Sequence, residues 1–354
     1  MKRIFILLSF AFIGLSLTAQ DIHFSQYYAS PLTLNPALTG KFDGLYRVSA
    51  IYRDQWRTIQ EKSANTFMTP SVSVDFSLLK DKLKNSALGV GAVVTYDKVG
   101  SFTTYDIGAN IAYHLGLDKN GKYHLALGFQ GMYSNRKIAS DFTFEEELLI
   151  NPTFIDDGNV DTKAHNLFSL TPGLMFDAKL GKNSTIYAGY SLFMNLTPGE
   201  DIFLTGGTPE TGLPMRHMVN AGAEFGIKKF LIIPGVLFQM QDNVNEFNFG
   251  ITAGYKLIEK EKKNTKLFLG LWSRMHATGA DDPTSLALIP KIGFDFENFR
   301  FSGAFDIGLG QIAKDSQQAS NVGKLPTAFE IAINYFGQGS TPVPTNTYLF
   351  NPRF

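Results

Sequence analysis

The sequence predicts an all-β protein, a transmembrane antiparallel β-barrel of about 14 strands with an irregular N-terminal segment and a short C-terminal tail. Three observations carry that prediction. Apolar residues alternate with small or polar ones over segments of roughly 10 residues or more, the length a tilted strand needs to cross a bilayer, whereas strands of soluble sheets centre near 5–6. The apolar face of these segments repeatedly ends in Tyr or Phe, as a lipid-facing band with aromatic girdles requires. Beyond the first residues, no apolar stretch approaches the roughly 20 residues of a membrane helix. The composition agrees: 44% hydrophobic, 13% aromatic, 33 glycines and zero formal net charge. A neutral chain without a basic face points away from nucleic acid.

In chain order, Lys2 and Arg3 precede an apolar run over residues 4–17 and then Leu17-Thr18-Ala19. That is the pattern of a signal peptide, residues 1–19, cleaved after Ala19 to leave an exported chain beginning at Gln20. The sequence has no cysteine, which excludes a lipid-anchored N-terminus and leaves no disulfide to stiffen the fold. Residues 20–44 carry Pro31 and Pro36, which fix φ and turn Ser30 and Asn35 away from helix. Asn35-Pro36 and Thr39-Gly40 read as turns. This segment is expected either to enter the lumen as a plug or to remain periplasmic.

The barrel is expected over residues 45–337. Its strands fall near 45–56, 68–79, 86–96, 101–116, 122–136, 164–180, 184–196, 214–228, 230–241, 245–258, 265–276, 284–297, 299–310 and 326–337. In 105–115, Tyr105, Ile107, Ala109, Ile111, Tyr113 and Leu115 alternate with Asp106, Gly108, Asn110, Ala112 and His114. The same period runs through Phe247, Phe249, Ile251, Ala253 and Tyr255. Every second connection (80–85, 118–121, 181–183, 228–229, 259–264 and 298) is short and rich in Lys, Asn or Gly. The other set holds the long loops 137–163, 196–213 and 311–325, together with tight turns at 97–100 and 242–244. Short turns on one side and long loops on the other are the pattern of a bacterial outer-membrane barrel. Residues 338–354 form a Pro/Thr/Asn-rich tail, periplasmic or folded back toward the barrel mouth.

Parity places Arg47, Arg53, Asp75, Asp106, Glu224, Lys256, Lys291, Asp295, Arg300, Asp306 and Glu330 off the lipid face, where a midplane charge would cost about 2–4 kcal/mol. They are expected to pair with one another or with an inserted segment, or else to line a wet pore. Trp56 reads as an interface anchor.

No motif points to catalysis or to a cofactor. Residues 116–123 resemble a P-loop, but Tyr123 stands where Ser or Thr must hold magnesium and no helix follows, so Asn120-Gly121 reads as a hairpin turn. Asp156, Asp157, Asn159 and Asp161 lack the spacing and distal Glu of a calcium loop, and Glu145, Glu146 and Glu147 read likewise as solvated loop. The histidines His23, His114, His124, His165, His217 and His276 show no paired spacing and no neighbouring nucleophile motif. No enzyme and no metal site is expected.

The least generic stretch is 21–56. It contains His23-Phe24-Ser25-Gln26-Tyr27-Tyr28, Ser30-Pro31, Leu34-Asn35-Pro36-Ala37, Thr39-Gly40 and Tyr52-Arg53-Asp54-Gln55-Trp56, and the chain ends in Asn351-Pro352-Arg353-Phe354. These blocks resemble the PorP/SprF family of type IX secretion proteins of the Bacteroidetes, although many members have Cys where Asn351 stands. The resemblance implies a non-catalytic outer-membrane barrel that binds or anchors the C-terminal domain of a secreted cargo or adhesin, gliding-type adhesins included. It implies other type IX components in the periplasm as further partners. The family-motif and partner-binding candidates are Phe24, Ser25, Gln26, Tyr27, Ser30, Pro31, Asn35, Pro36, Gly40, Tyr52, Arg53, Gln55, Trp56, Pro352, Arg353 and Phe354. The alternative on patterning alone is an uptake channel for hydrophobic or small solutes.

Overall fold

The computed structural model describes residues 24–57, 67–80, 83, 85–139, 164–181, 183–197, 213–242, 244–260, 263–278, 285–310, 325–338, 350 and 352. Outside the described residues lie the predicted signal peptide, His23, the segments 145–147 and 156–161, most of the long loops and tail, and the motif residues Arg353 and Phe354.

Alternation along the sequence becomes a closed wall. The strands are β1 (Tyr46–Gln55), β2 (Phe67–Leu78), β3 (Ala87–Val99), β4 (Phe102–Gly116), β5 (Tyr123–Ile138), β6 (His165–Leu180) and β7 (Ser184–Asn195). They continue as β8 (Arg216–Ile227), β9 (Phe230–Gln241), β10 (Val244–Lys260), β11 (Lys263–Thr278), β12 (Ser285–Phe296), β13 (Phe299–Gly310) and β14 (Thr327–Gly337). Each pairs antiparallel with its sequence neighbours, and β1 closes on β14, Tyr46 opposite Gly337 and Gln55 opposite Ala328. Closure leaves no edge, so no row of backbone polar groups faces lipid unpaired. The odd-numbered strands run from a turn end to a loop end, and the even-numbered strands run back.

One difference from the sequence reading concerns the β10–β11 hairpin, which extends to Lys260 and Lys263 instead of stopping near 258 and 265. A bulge between Lys256 and Ile258 resets its register. Charged residues can continue a ladder where strands project past the apolar band, because pairing is a property of the backbone.

The outer surface is the apolar face: Val72, Val94, Ile107, Leu127, Phe168, Leu269 and Ile331 are each at least half exposed. Aromatic rings gather at both ends of this band. Tyr46 lies beside Phe76 (6.2 Å between ring centroids) and Tyr335 (5.9 Å), and Phe230 beside Tyr255 (5.1 Å), at the turn end. Trp56 sits beside Phe67 (5.0 Å), Tyr96 beside Tyr105 (4.9 Å) and Tyr133 beside Phe168 (5.4 Å) at the loop end. Four prolines, Pro70, Pro172, Pro234 and Pro290, sit inside strands. Each interrupts pairing toward one neighbour and leaves it intact toward the other, and the interrupted ladder resumes in the same register. A missing N–H removes one ladder bond without moving the strand.

The interior departs from the expectation of a small and polar lumen face. On β9, β11 and β12 the inward positions Leu231, Ile233, Leu237, Phe268, Trp272 and Ile289 are buried and large. Such a face is stable only if something apolar covers it, and part of that cover is the chain's own N-terminal segment.

Replacing Ile107, 55% exposed in the middle of β4, by Lys should destabilise the membrane-inserted barrel by about 2–4 kcal/mol in denaturant titration from vesicles. A cost near zero would mean that this face does not meet lipid.

Candidate functional site

Residues 24–44 fill the lumen. Proline dictates their local shape. A 3₁₀ turn (Tyr27–Ala29), one helical turn α1 (Pro31–Leu34) and a second 3₁₀ turn (Pro36–Leu38) follow one another, with Pro at the first position of the latter two. There its fixed φ suits the helix and its missing N–H costs nothing. Asn35, between the last two, is extended, and its Oδ1 accepts the N–H of Ala37 at 2.9 Å as an N-cap.

Such short turns cannot satisfy their own backbone groups, so the wall does. At the inner end of the segment, deep toward the loop end, five charged side chains from five strands converge on Ser25. Glu330 on β14 accepts the N–H groups of Ser25 (2.7 Å) and Gln26 (2.8 Å). The Ser25 hydroxyl donates to Asp306 on β13 (2.7 Å) and accepts from Arg53 on β1 and Arg274 on β11, both at 2.9 Å. Lys291 on β12 donates to the Ser25 carbonyl at 2.6 Å and lies 4.0 Å from the centroid of the Trp272 ring. Arg53 is ion-paired with both Glu330 and Asp306, and Arg274 meets Asp306 at 2.6 Å. All five are buried. A buried charge costs several kcal/mol unless paired and hydrogen-bonded, and here each finds partners of the opposite sign or a fixed dipole.

In the middle, Tyr27 meets Trp272 edge to face (5.8 Å) and Tyr28 meets Tyr187 likewise (5.6 Å). Asn220 donates to the Tyr28 hydroxyl at 3.0 Å. Burial pushes both segment phenols well above the ordinary tyrosine range, with the neighbouring Tyr187 adding to it, so they remain neutral. Carbonyls left open by the short helical turns are met one by one. Gln130 donates to Leu32, Ser191 to Leu34 and Asn334 to Ala29, at 2.9–3.0 Å. Asn35 Nδ2 donates to the strand carbonyls of Leu174 and Tyr190. The wall carries glycine where the segment comes close: a Cβ at Gly128 would stand 2.4 Å from the Ala37 nitrogen.

At the turn end, Arg47 grips Asp75 through Nε (2.9 Å) and Nη2 (2.7 Å) and donates to the Leu38 carbonyl, while Asp75 accepts the Gly40 N–H at 2.7 Å. Gly40 has φ +71°, and a Cβ there would lie 2.7 Å from Gly89, so only glycine fits. Lys41 pairs with Asp177, which also meets His124 Nδ1 at 3.2 Å. Lys80 donates to the carbonyls of Phe42 and Gly44. The C-terminal tail returns here as well: Phe350 is buried against Tyr187 (5.4 Å) in the same apolar cluster as Tyr27 and Tyr28, and Pro352 is buried too.

Of the motif residues singled out from sequence, Phe24, Ser25, Gln26, Tyr27, Ser30, Pro31, Asn35, Pro36 and Gly40 therefore lie in the lumen, and Arg53 is the wall residue that receives them. Gln55 supports Arg53 (3.2 Å). Tyr52 and Trp56 stand apart on the outer surface, Trp56 at φ +60° where β1 ends. Sequence reasoning placed Asp75, Lys291, Asp306 and Glu330 inward but missed Arg274, Lys41, Asp177, Asn220 and Trp272. The available signal was in β11, where Phe268 and Trp272 occupy one parity and leucines the other: two apolar faces on one barrel strand require a filled lumen. On the loop side of the segment a recess remains, floored by Leu32, Thr33 and Leu34 and walled by Gln130, Phe193, Arg216 and Met218. Among the described residues no group of His, Asp or Glu is arranged to hold a metal ion.

Arg53→Ala leaves Asp306 and Glu330 buried with one partner fewer and should cost about 3–5 kcal/mol. Thermal unfolding, with limited proteolysis of the N-terminal segment, reads it out; wild-type stability and protection would sink the assignment of Arg53 as anchor.

Comparison with known proteins agrees with this architecture. The solved structure of a TodX monoaromatic hydrocarbon channel deletion mutant is 12% identical, with a TM-score of 0.51 over 87% of this chain and 93% of that one. The Pseudomonas putida toluene transporter TodX is 10% identical, with a TM-score of 0.49 over 90% of this chain and 98% of that one. At such identity the likeness is one of fold alone. No match is found among curated proteins. The family model described as type IX secretion system membrane protein PorP/SprF matches residues 16–334. With nearly the whole chain covered, from the lumen segment through the closing strand, this protein belongs to the PorP/SprF family of type IX secretion system membrane proteins.

Proposed function

We propose that this barrel is a closed, non-catalytic docking component of type IX secretion, which binds or anchors the C-terminal domain of a secreted cargo or adhesin at the cell surface. The turn end then faces the periplasm and the loop end the exterior, as the contrast of short turns and long loops favours. The carrying observation is the filled lumen. Residues 24–44 span it from the Ser25 cluster to Lys41, and Phe350 packs beneath them. A lumen so occupied has no room for a translocating chain, so a role in secretion falls to its surfaces. The recess above Leu32–Leu34, walled by Phe193, Arg216 and Met218, is the part of the lumen that an extended partner segment could enter. Gliding-type adhesins are within this reading, and periplasmic type IX components would meet the opposite mouth.

The second reading, an uptake channel for hydrophobic or small solutes, draws on the same recess and on the fold shared with a channel named for monoaromatic hydrocarbons. The two readings separate cleanly. On the docking reading, the tagged protein purified from native membranes carries an adhesin or cargo C-terminal domain with it, and deleting its gene changes the set of exported proteins. Planar bilayers containing the purified barrel stay non-conducting. An unchanged exported set, together with impaired uptake of a hydrophobic solute, would overturn docking in favour of the channel.

A further inference from the structure

Charge is separated along the barrel axis. The chain is neutral overall, yet every turn-end connection except Glu297-Asn298 carries lysine, while acidic residues crowd the sequences of the β5–β6, β7–β8 and β11–β12 loops. At the turn end Lys119 and Lys122 (β4–β5) and Lys228 and Lys229 (β8–β9) are exposed. None of these four ammonium groups is paired with a carboxylate among the described residues. The acid nearest Lys119 and Lys122 in sequence, Asp118, is turned instead onto the backbone N–H groups of Asn120, Lys122 and Tyr123.

Their height in the membrane is fixed by what flanks them. Lys228-Lys229 is a two-residue turn, with Lys228 at φ +54°. It joins Ile227, 58% exposed, directly to Phe230, 59% exposed. Leu117 and Tyr123 bracket the β4–β5 turn in the same way and are also exposed. Such turns keep their lysines within a side-chain length of the apolar band. The apolar residues belong to the lipid-facing band, so the ammonium groups, on stems that can lie along apolar surface, stand at the level of the lipid phosphates.

We propose that these lysines form a collar that binds anionic phospholipid headgroups in the leaflet at the turn end. That leaflet is the periplasmic one in the orientation given above, but the collar itself depends only on the barrel spanning a membrane. Lysine acts here as a point charge on phosphate, and polybasic segments beside a membrane gain most from anionic lipid.

The test reconstitutes the full chain into nanodiscs of phosphatidylethanolamine with a minority of phosphatidylglycerol and measures the lipids retained by native mass spectrometry. Wild type should retain phosphatidylglycerol at roughly threefold its bulk proportion. The K119Q/K122Q/K228Q/K229Q variant should return to the bulk ratio; the two pairs made separately each show part of the loss if the fourfold variant does not insert. The corresponding arginine variant and the loop-end control Lys137→Gln should retain the enrichment. Wild type at the bulk ratio would overturn the proposal, including the case in which the lysines instead capture an acidic periplasmic protein. So would enrichment that survives in the glutamine variants.

Discussion

Arg53, Arg274, Lys291, Asp306 and Glu330 could not stand where they do without Ser25 and Gln26 between them. Five ionisable groups from β1, β11, β12, β13 and β14 share one buried volume, and Coulomb pairing alone does not satisfy their directional hydrogen-bonding capacity. The N–H groups of Ser25 and Gln26, the Ser25 hydroxyl and the Ser25 carbonyl supply the missing donors and acceptors. A half-satisfied network of this kind is worse than an apolar core, so wall and segment are stable only together.

That mutual dependence orders the assembly. Ser25 and its partner Glu330 are 305 residues apart, so the Ser25 site does not exist until the last strands have been laid beside β1. Contacts this remote carry the largest loop-closure cost and form late. The lower anchors, Asp75 with Arg47 and Asp75 with Gly40, are only 28 and 35 residues apart and are available as soon as the first hairpin forms. The segment is thus tethered at the turn end before it is locked near the loop end.

The filled lumen also changes how the family motif is understood. Residues that look like a recognition signature in sequence are, for the larger part, the packing contacts between a chain and its own barrel. Their strict residue types follow from geometry: Gly40 from a positive φ pressed against Gly89, Asn35 from capping one turn while bonding two strands, Pro31 and Pro36 from helical turns too short to use their own N–H groups. What this packing leaves open inside the barrel is the recess over α1.

The wall was legible in the residues alone. Period-two alternation is a local property, so strand number, which residues meet lipid and which connections are short could be read from residues such as Ile107, Val94 and Leu127 and from turns such as Lys228-Lys229. It also placed Arg47, Arg53, Asp306 and Glu330 inward, since parity needs no knowledge of neighbours. Which inward groups meet was not legible there, because it depends on barrel closure and on the path of a proline-bent segment with no period of its own. Arg274 and Trp272 became part of the Ser25 and Tyr27 environment, and Asp177 the partner of Lys41, through separations of more than a hundred residues. No local pattern encodes such distances.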